Sequence, residues 1–246
     1  MVVFAVAFIA LTEGLHALMG DRADDLLGQA AMAAALPAVL AAVVVGGRRR
    51  ATALPSWYGR GHVRLAAAAF GITLVIAGLA RVAVGWATVT FQPHASGFRP
   101  GALALTVGLI TLAAFAEEIL FRAWLPQAIG VWVRSPWVAY GVTVPLFVLI
   151  HGTRDGWIGV VNHGVTGICL AVLAWHFHGI AAPTGVHAAS NVVLALAPEL
   201  LTTGANMDHA AAVVMAKAAA LVAITALLVK AYMVPRVATP APAGRA

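Results

Sequence analysis

The stretch TLAAFAEEILFRAWLP, residues 111–126, decides how this chain is to be read. It is apolar enough for a buried helix, yet it carries Glu117, Glu118 and Arg122 near its centre. Inside a membrane helix an ionisable group costs at least about 2.5 kcal/mol, so such groups are rare and functional by default. Glu118 and Arg122 are four positions apart, which puts them on one helical face a turn apart, where opposite charges pair. That spacing assigns Glu118 and Arg122 to a structural ion pair and leaves Glu117 for chemistry.

The flanking sequence supplies the membrane. Of 246 residues, 62% are hydrophobic and only 10% charged, with a mean hydropathy of +0.93. A soluble domain has about 45–50% apolar and about 25% charged residues. The polar side chains needed to cover a water-facing surface are missing, so a soluble fold, a disordered chain and a nucleic-acid-binding module all fit poorly. Apolar segments at about 2–19, 26–46, 63–90, 101–129, 137–155, 158–178, 180–200 and 210–234 predict eight crossings. The alternation that a membrane barrel needs is absent, so the fold class is all-α and polytopic. The start, MVVFAVAFIALTEG, lacks a basic leader region and reads as the first membrane helix. One integral-membrane domain is expected: N-terminal helices over 1–100, a catalytic core over 101–200, a last helix over 201–235 and an unstructured tail over 236–246.

Charge sets the orientation. Eight crossings put both termini on one side, which carries Arg48, Arg49, Arg50, Arg60, Arg64, Arg134, Lys230, Arg236 and Arg245. The opposite side has Arg22, Arg99 and Arg154, with Asp21, Asp24, Asp25, Asp155, Glu199 and Asp208. Positive loops mark the cytoplasmic face, so both termini are expected in the cytoplasm of a multi-pass cell-membrane protein. The net charge of +6 then reflects topology and contact with anionic membrane lipids, with no nucleic-acid partner required. Cys169, the single cysteine, can form no internal disulfide and reads as a small buried hydrophobe. Arg81 and Lys217 are expected to snorkel or to pair internally. The tryptophans fall mostly near helix ends, as an interfacial belt does.

Two further polar pairs interrupt apolar helices: Phe147 with His151, and His187 with Asn191, each four apart. At about 1.5 Å per residue, Glu117 and His151 lie roughly 20 Å, and His187 about 10 Å, from the cytoplasmic ends of their helices. With helix tilt, side-chain reach allows all three to meet inside the bilayer. A carboxylate beside an imidazole can deprotonate water and return the proton to a leaving group. A second imidazole and an amide can donate to an oxyanion. Glu117, His151, His187 and Asn191 contain the parts of a water-activating hydrolase. Glu117, His151 and His187 are also a usable Zn²⁺ ligand set, the minority option beside a mechanism with no cofactor. No serine elbow accompanies the histidines, and HExxH is absent. His163 is a candidate for lining the cavity, Glu13 and His16 for pairing or lining a substrate entrance, and His176 and His178 for a solvated interface.

Glu-Glu-x-x-x-Arg at 117–122, Phe-x-x-x-His at 147–151 and His-x-x-x-Asn at 187–191 occur in that order. Together they resemble the signature motifs of the CAAX protease and bacteriocin-processing family, the CPBP or Abi intramembrane endopeptidases, over about residues 101–200. The resemblance implies peptide-bond hydrolysis within the membrane, on a membrane-associated, prenylated or otherwise lipidated peptide. It implies that Glu117 and His151 activate water and that His187 and Asn191 stabilise the oxyanion. Glu118, Arg122 and Phe147 become supporting residues. A glutamate-type mechanism without bound metal is the implied chemistry. The alternatives are a membrane immunity or scaffold protein that keeps the motifs without catalysis, and a small transporter or proton relay.

Overall fold

The computed structural model describes residues 60–87, 100–151, 156–200 and 207–231. The first two expected crossings, with Glu13 and His16, and the tail over 236–246 lie outside the described residues. Among the described residues all regular structure is helical, and no strand occurs. The Ala/Leu/Val/Ile runs explain this, since a segment in hydrocarbon must satisfy its own backbone groups. Helix α1 spans Arg60–Ala87 and α2 Pro100–Glu118. A π-helical turn over Ile119–Trp124 leads from α2 into the short α3, Leu125–Gly130. Then come α4 (Pro136–His151), α5 (Gly156–His176), α6 (Ala181–Leu200) and α7 (Met207–Ala231). Among the described residues, three stretches are long and apolar enough to cross a membrane, namely His62–Ala87, Gly156–His176 and Ala210–Ala231, and Pro136–His151 is a shorter apolar helix.

Helix α6 is the axis of the bundle. From Ala181 to Ser190 every residue is buried, with α1, α2 and α5 packed around it. Small residues permit this, because they let helix backbones approach. Gly185 is the limiting case: a Cβ there would sit 2.3 Å from the Ala66 carbonyl oxygen of α1. That contact sets the start of α6 beside the start of α1, so the two helices run parallel. Helix α7 runs the other way. Its Leu221, Ile224 and Leu228 join Ala69 and Ala182 in one apolar core, while Lys217, nearer its start, shares a small cleft with Arg81 and Ser190. Arg64, Arg134 and Lys230 consequently belong to one end of the bundle. Outside, Val75, Leu79, Trp86, Leu149, Ile150 and Val222 are exposed. An apolar exterior on this scale suits lipid and not water.

The π turn has a local cause. Pro126 has no N–H for the Arg122 carbonyl four residues earlier, and its ring crowds that carbonyl. Widening the preceding turn relieves the clash: the Leu125 N–H bonds to the Leu120 carbonyl, five residues back. The Arg122 carbonyl instead accepts from the Tyr140 hydroxyl at 3.3 Å, which ties the turn to α4.

Candidate active site

Glu117 and Glu118 end α2 immediately before the π turn. Successive helical positions differ by about 100° around the axis, so the two carboxylates face different neighbours. Glu118 is fully buried. Its Oε1 accepts a 2.7 Å hydrogen bond from His187 Nδ1 and lies 3.4 Å from Arg122 Nη1. The expected Glu118–Arg122 pair is present as a charge contact, since neither Arg122 Nη1 nor Glu118 Oε2 has a hydrogen-bond partner among the described residues. Glu118 also orients His187, a second role that the i,i+4 spacing did not reveal.

Phe147 is the hub on which these groups rest. Its ring is 1% exposed and carries the Arg122 guanidinium at 4.4 Å. A desolvated cation on a ring face gains about 2 kcal/mol. Phe121 meets Phe147 edge-on at 5.3 Å, and the His151 and His187 rings lie at 4.5 and 6.0 Å. Gly167 lets α5 close over this group. Its carbonyl lies 3.5 Å from Arg122 Nη2, and a Cβ would come within 3.3 Å of Val144 and 3.5 Å of Phe147.

Glu117 faces the imidazoles. His151 Nδ1 lies 3.0 Å from the Phe147 carbonyl, which can only accept, so Nδ1 carries the proton and Nε2 is presented to Glu117. His187 is fixed in the same sense by Glu118. The two Nε2 atoms stand 3.4 Å and 3.8 Å from Glu117 Oε2, which makes no hydrogen bond of good geometry. Catalytic contacts are often this long before substrate binds. A carboxylate flanked by two oriented imidazoles can accept, store and return one proton. Among the described residues, no group of three His, Cys, Asp or Glu side chains is arranged to hold a metal ion.

The structure thus brings Glu117, Glu118, Arg122, Phe147, His151 and His187 into one cluster. Asn191 lies one turn beyond His187 on α6, half-buried. His163 stacks on His151 at 5.4 Å. Tyr140 and Gly167 were missed from sequence. Pro126 was the available signal for Tyr140, because it orphans a carbonyl that needs a donor.

No curated protein and no solved structure matches the chain. One family model does, and the matched stretch spans every member of the cluster: residues 99–193 match the model described as Rce1-like, type II CAAX prenyl endopeptidase Rce1-like, in line with the CAAX protease resemblance of the three motifs.

Proposed function

We propose that the chain is an intramembrane endopeptidase that hydrolyses a peptide bond of a membrane-associated or lipidated peptide. The observation that carries this reading is the convergence of His151 Nε2 and His187 Nε2 on one oxygen of Glu117. Water bound beside Glu117 and His151 gives up a proton to that pair and attacks the scissile carbonyl. The tetrahedral oxyanion accepts hydrogen bonds from His187 Nε2 and Asn191. Because His187 Nδ1 already donates to Glu118, donation from Nε2 requires the imidazolium. The cluster balances in that state, with Glu117 and Glu118 negative, Arg122 and His187 positive, and His151 neutral. The stored proton then passes to the leaving amine as the C–N bond breaks.

The family match supports a CAAX-type peptidase, and the apolar helices support an integral membrane protein. In this reading eight helices cross the cell membrane with both termini in the cytoplasm, and the substrate enters from the cytoplasmic leaflet. The mechanism uses no metal. The test is purified protein in detergent, incubated with a panel of peptides and prenylated lipopeptides, with product masses read out. Glu117→Ala and His187→Ala are expected to lose cleavage while still assembling. Cleavage kept by both variants would leave the motifs as binding or scaffolding elements. Stoichiometric zinc with chelator-sensitive cleavage would replace the metal-free mechanism by one on Glu117, His151 and His187.

A further inference from the structure

The proposed chemistry needs His151 Nε2 to stay on Glu117, yet His151 is the last residue of α4 and only half-buried. The final torsion of a histidine is broad and roughly two-fold, so its rotamer alone does not fix the ring. A half-turn about that torsion would put carbon where Nδ1 and Nε2 now stand. The Phe147 carbonyl holds one edge of the ring through Nδ1. The Phe147 ring, one turn back, lies against it at 4.5 Å with 37° between the planes. Both of these restraints come from α4 itself, so neither ties the imidazole to another helix.

Helix α5 supplies that tie. Gly164 and Gly167 face α4: a Cβ on them would meet Val148 at 4.0 Å and Val144 at 3.3 Å. This close seam lets the half-buried His163 reach the end of α4. Its ring stacks on His151 at 5.4 Å with 27° between the planes, and meets Phe147 nearly edge-on at 6.0 Å. The three rings therefore close a triangle, each touching the other two. Rings about 4.5–7 Å apart attract when stacked with an offset or placed edge to face. Turning the His151 imidazole breaks the stack on His163 as well as the bond to the Phe147 carbonyl.

We propose that His163 is a positioning residue for the water-activating pair: its ring, and not its nitrogens, holds the His151 imidazole with Nε2 on Glu117. A reacting group must be kept within about 0.5 Å of its productive place by packing on rigid elements. Helix α5 is such an element, with Leu170, Leu173 and Ala174 buried in the bundle. The kinetic consequence rests on the endopeptidase reading, whereas the holding of the ring does not.

The experiment uses the full chain in detergent with ring-¹⁵N histidine, and His151→Gln identifies the His151 signals by their loss. Two variants separate the ring of His163 from its nitrogens. His163→Phe keeps an aromatic face, and His163→Gln keeps a hydrogen-bonding side chain without a ring. Near neutral pH, wild type and His163→Phe should show one protonated and one unprotonated His151 nitrogen. In His163→Gln the two signals should draw together, as the freed ring exchanges between orientations and tautomers. With a cleaved lipopeptide, His163→Gln should lower kcat about tenfold to a hundredfold, the scale of a misplacement of about 1 Å. KM should not change, because His163 acts through His151, and His163→Phe should retain most of the wild-type kcat. Nitrogen signals that behave alike in the two variants, or in the reverse order, would overturn the proposal. So would a His163→Gln kcat equal to that of wild type. If wild type cleaves no peptide, the endopeptidase reading fails, and the nitrogen signals still decide whether His163 holds His151.

Discussion

Glu117 and Glu118 are neighbours in sequence, yet they belong to two halves of one cluster that differ in access. The side chains of Glu118, Arg122 and His187 are 0%, 1% and 4% exposed, whereas those of Glu117 and His151 are 11% and 18% exposed. The sealed half is made of groups in mutual contact, Glu118 with Arg122 and His187, beside the Phe147 ring. The open half has the contacts that are too long for good hydrogen bonds. Glu118 fixes an imidazole, and in the proposed mechanism its neighbour Glu117 exchanges the proton. Sealing one half is what allows the other to be loose without losing its geometry.

The strongest way to break this contrast is Glu118→Ala. It leaves Arg122 and His187 buried without their acceptor, which costs about 3–5 kcal/mol. Thermal denaturation in detergent should show a large drop in melting temperature, and cleavage should disappear with it. His151→Ala attacks the open half. Cleavage should fall by about 10²–10⁴-fold, the usual range for a general acid–base group. Its melting temperature should stay near that of wild type; a drop as deep as that of Glu118→Ala would mean that the halves do not differ. Gly185→Ala sharpens the comparison from outside. Its new methyl group meets Ala66 backbone, which cannot swing aside, and must push α6 from α1. Overpacking of this kind costs about 1–3 kcal/mol. Because His187 rides on α6, both stability and cleavage should decline together, though less than for Glu118→Ala.

Much of this arrangement was legible in the sequence. The described long helices coincide with predicted apolar segments to within a few residues, except that the segment 101–129 is divided among α2, the π turn and α3, because length and hydropathy alone mark a segment that must satisfy its backbone in lipid. The charged residues within those segments led to the cluster, since so few charges interrupt the helices. The second role of Glu118 was hidden for a physical reason. Arg122, a turn away, accounts for Glu118 locally, while its shorter contact is with His187, 69 positions along the chain. Only packing shows that. Gly185 and Gly167 were equally silent, because a glycine in an Ala-rich helix has no signature until the neighbouring backbone is seen. The π turn was foreshadowed by Pro126, whose missing N–H forces the ladder to change partners.

The central claim is that Glu117 exchanges the proton of the attacking water while Glu118 holds the frame. Glu117→Gln tests it most directly, because the amide keeps the size and polarity of the side chain and removes only its ability to accept that proton. Cleavage of a lipopeptide substrate and thermal unfolding should be measured on the same preparation. The predicted result is loss of cleavage by about 10²–10⁴-fold with a melting temperature close to that of wild type. Full cleavage by Glu117→Gln at an unchanged melting temperature would contradict the account.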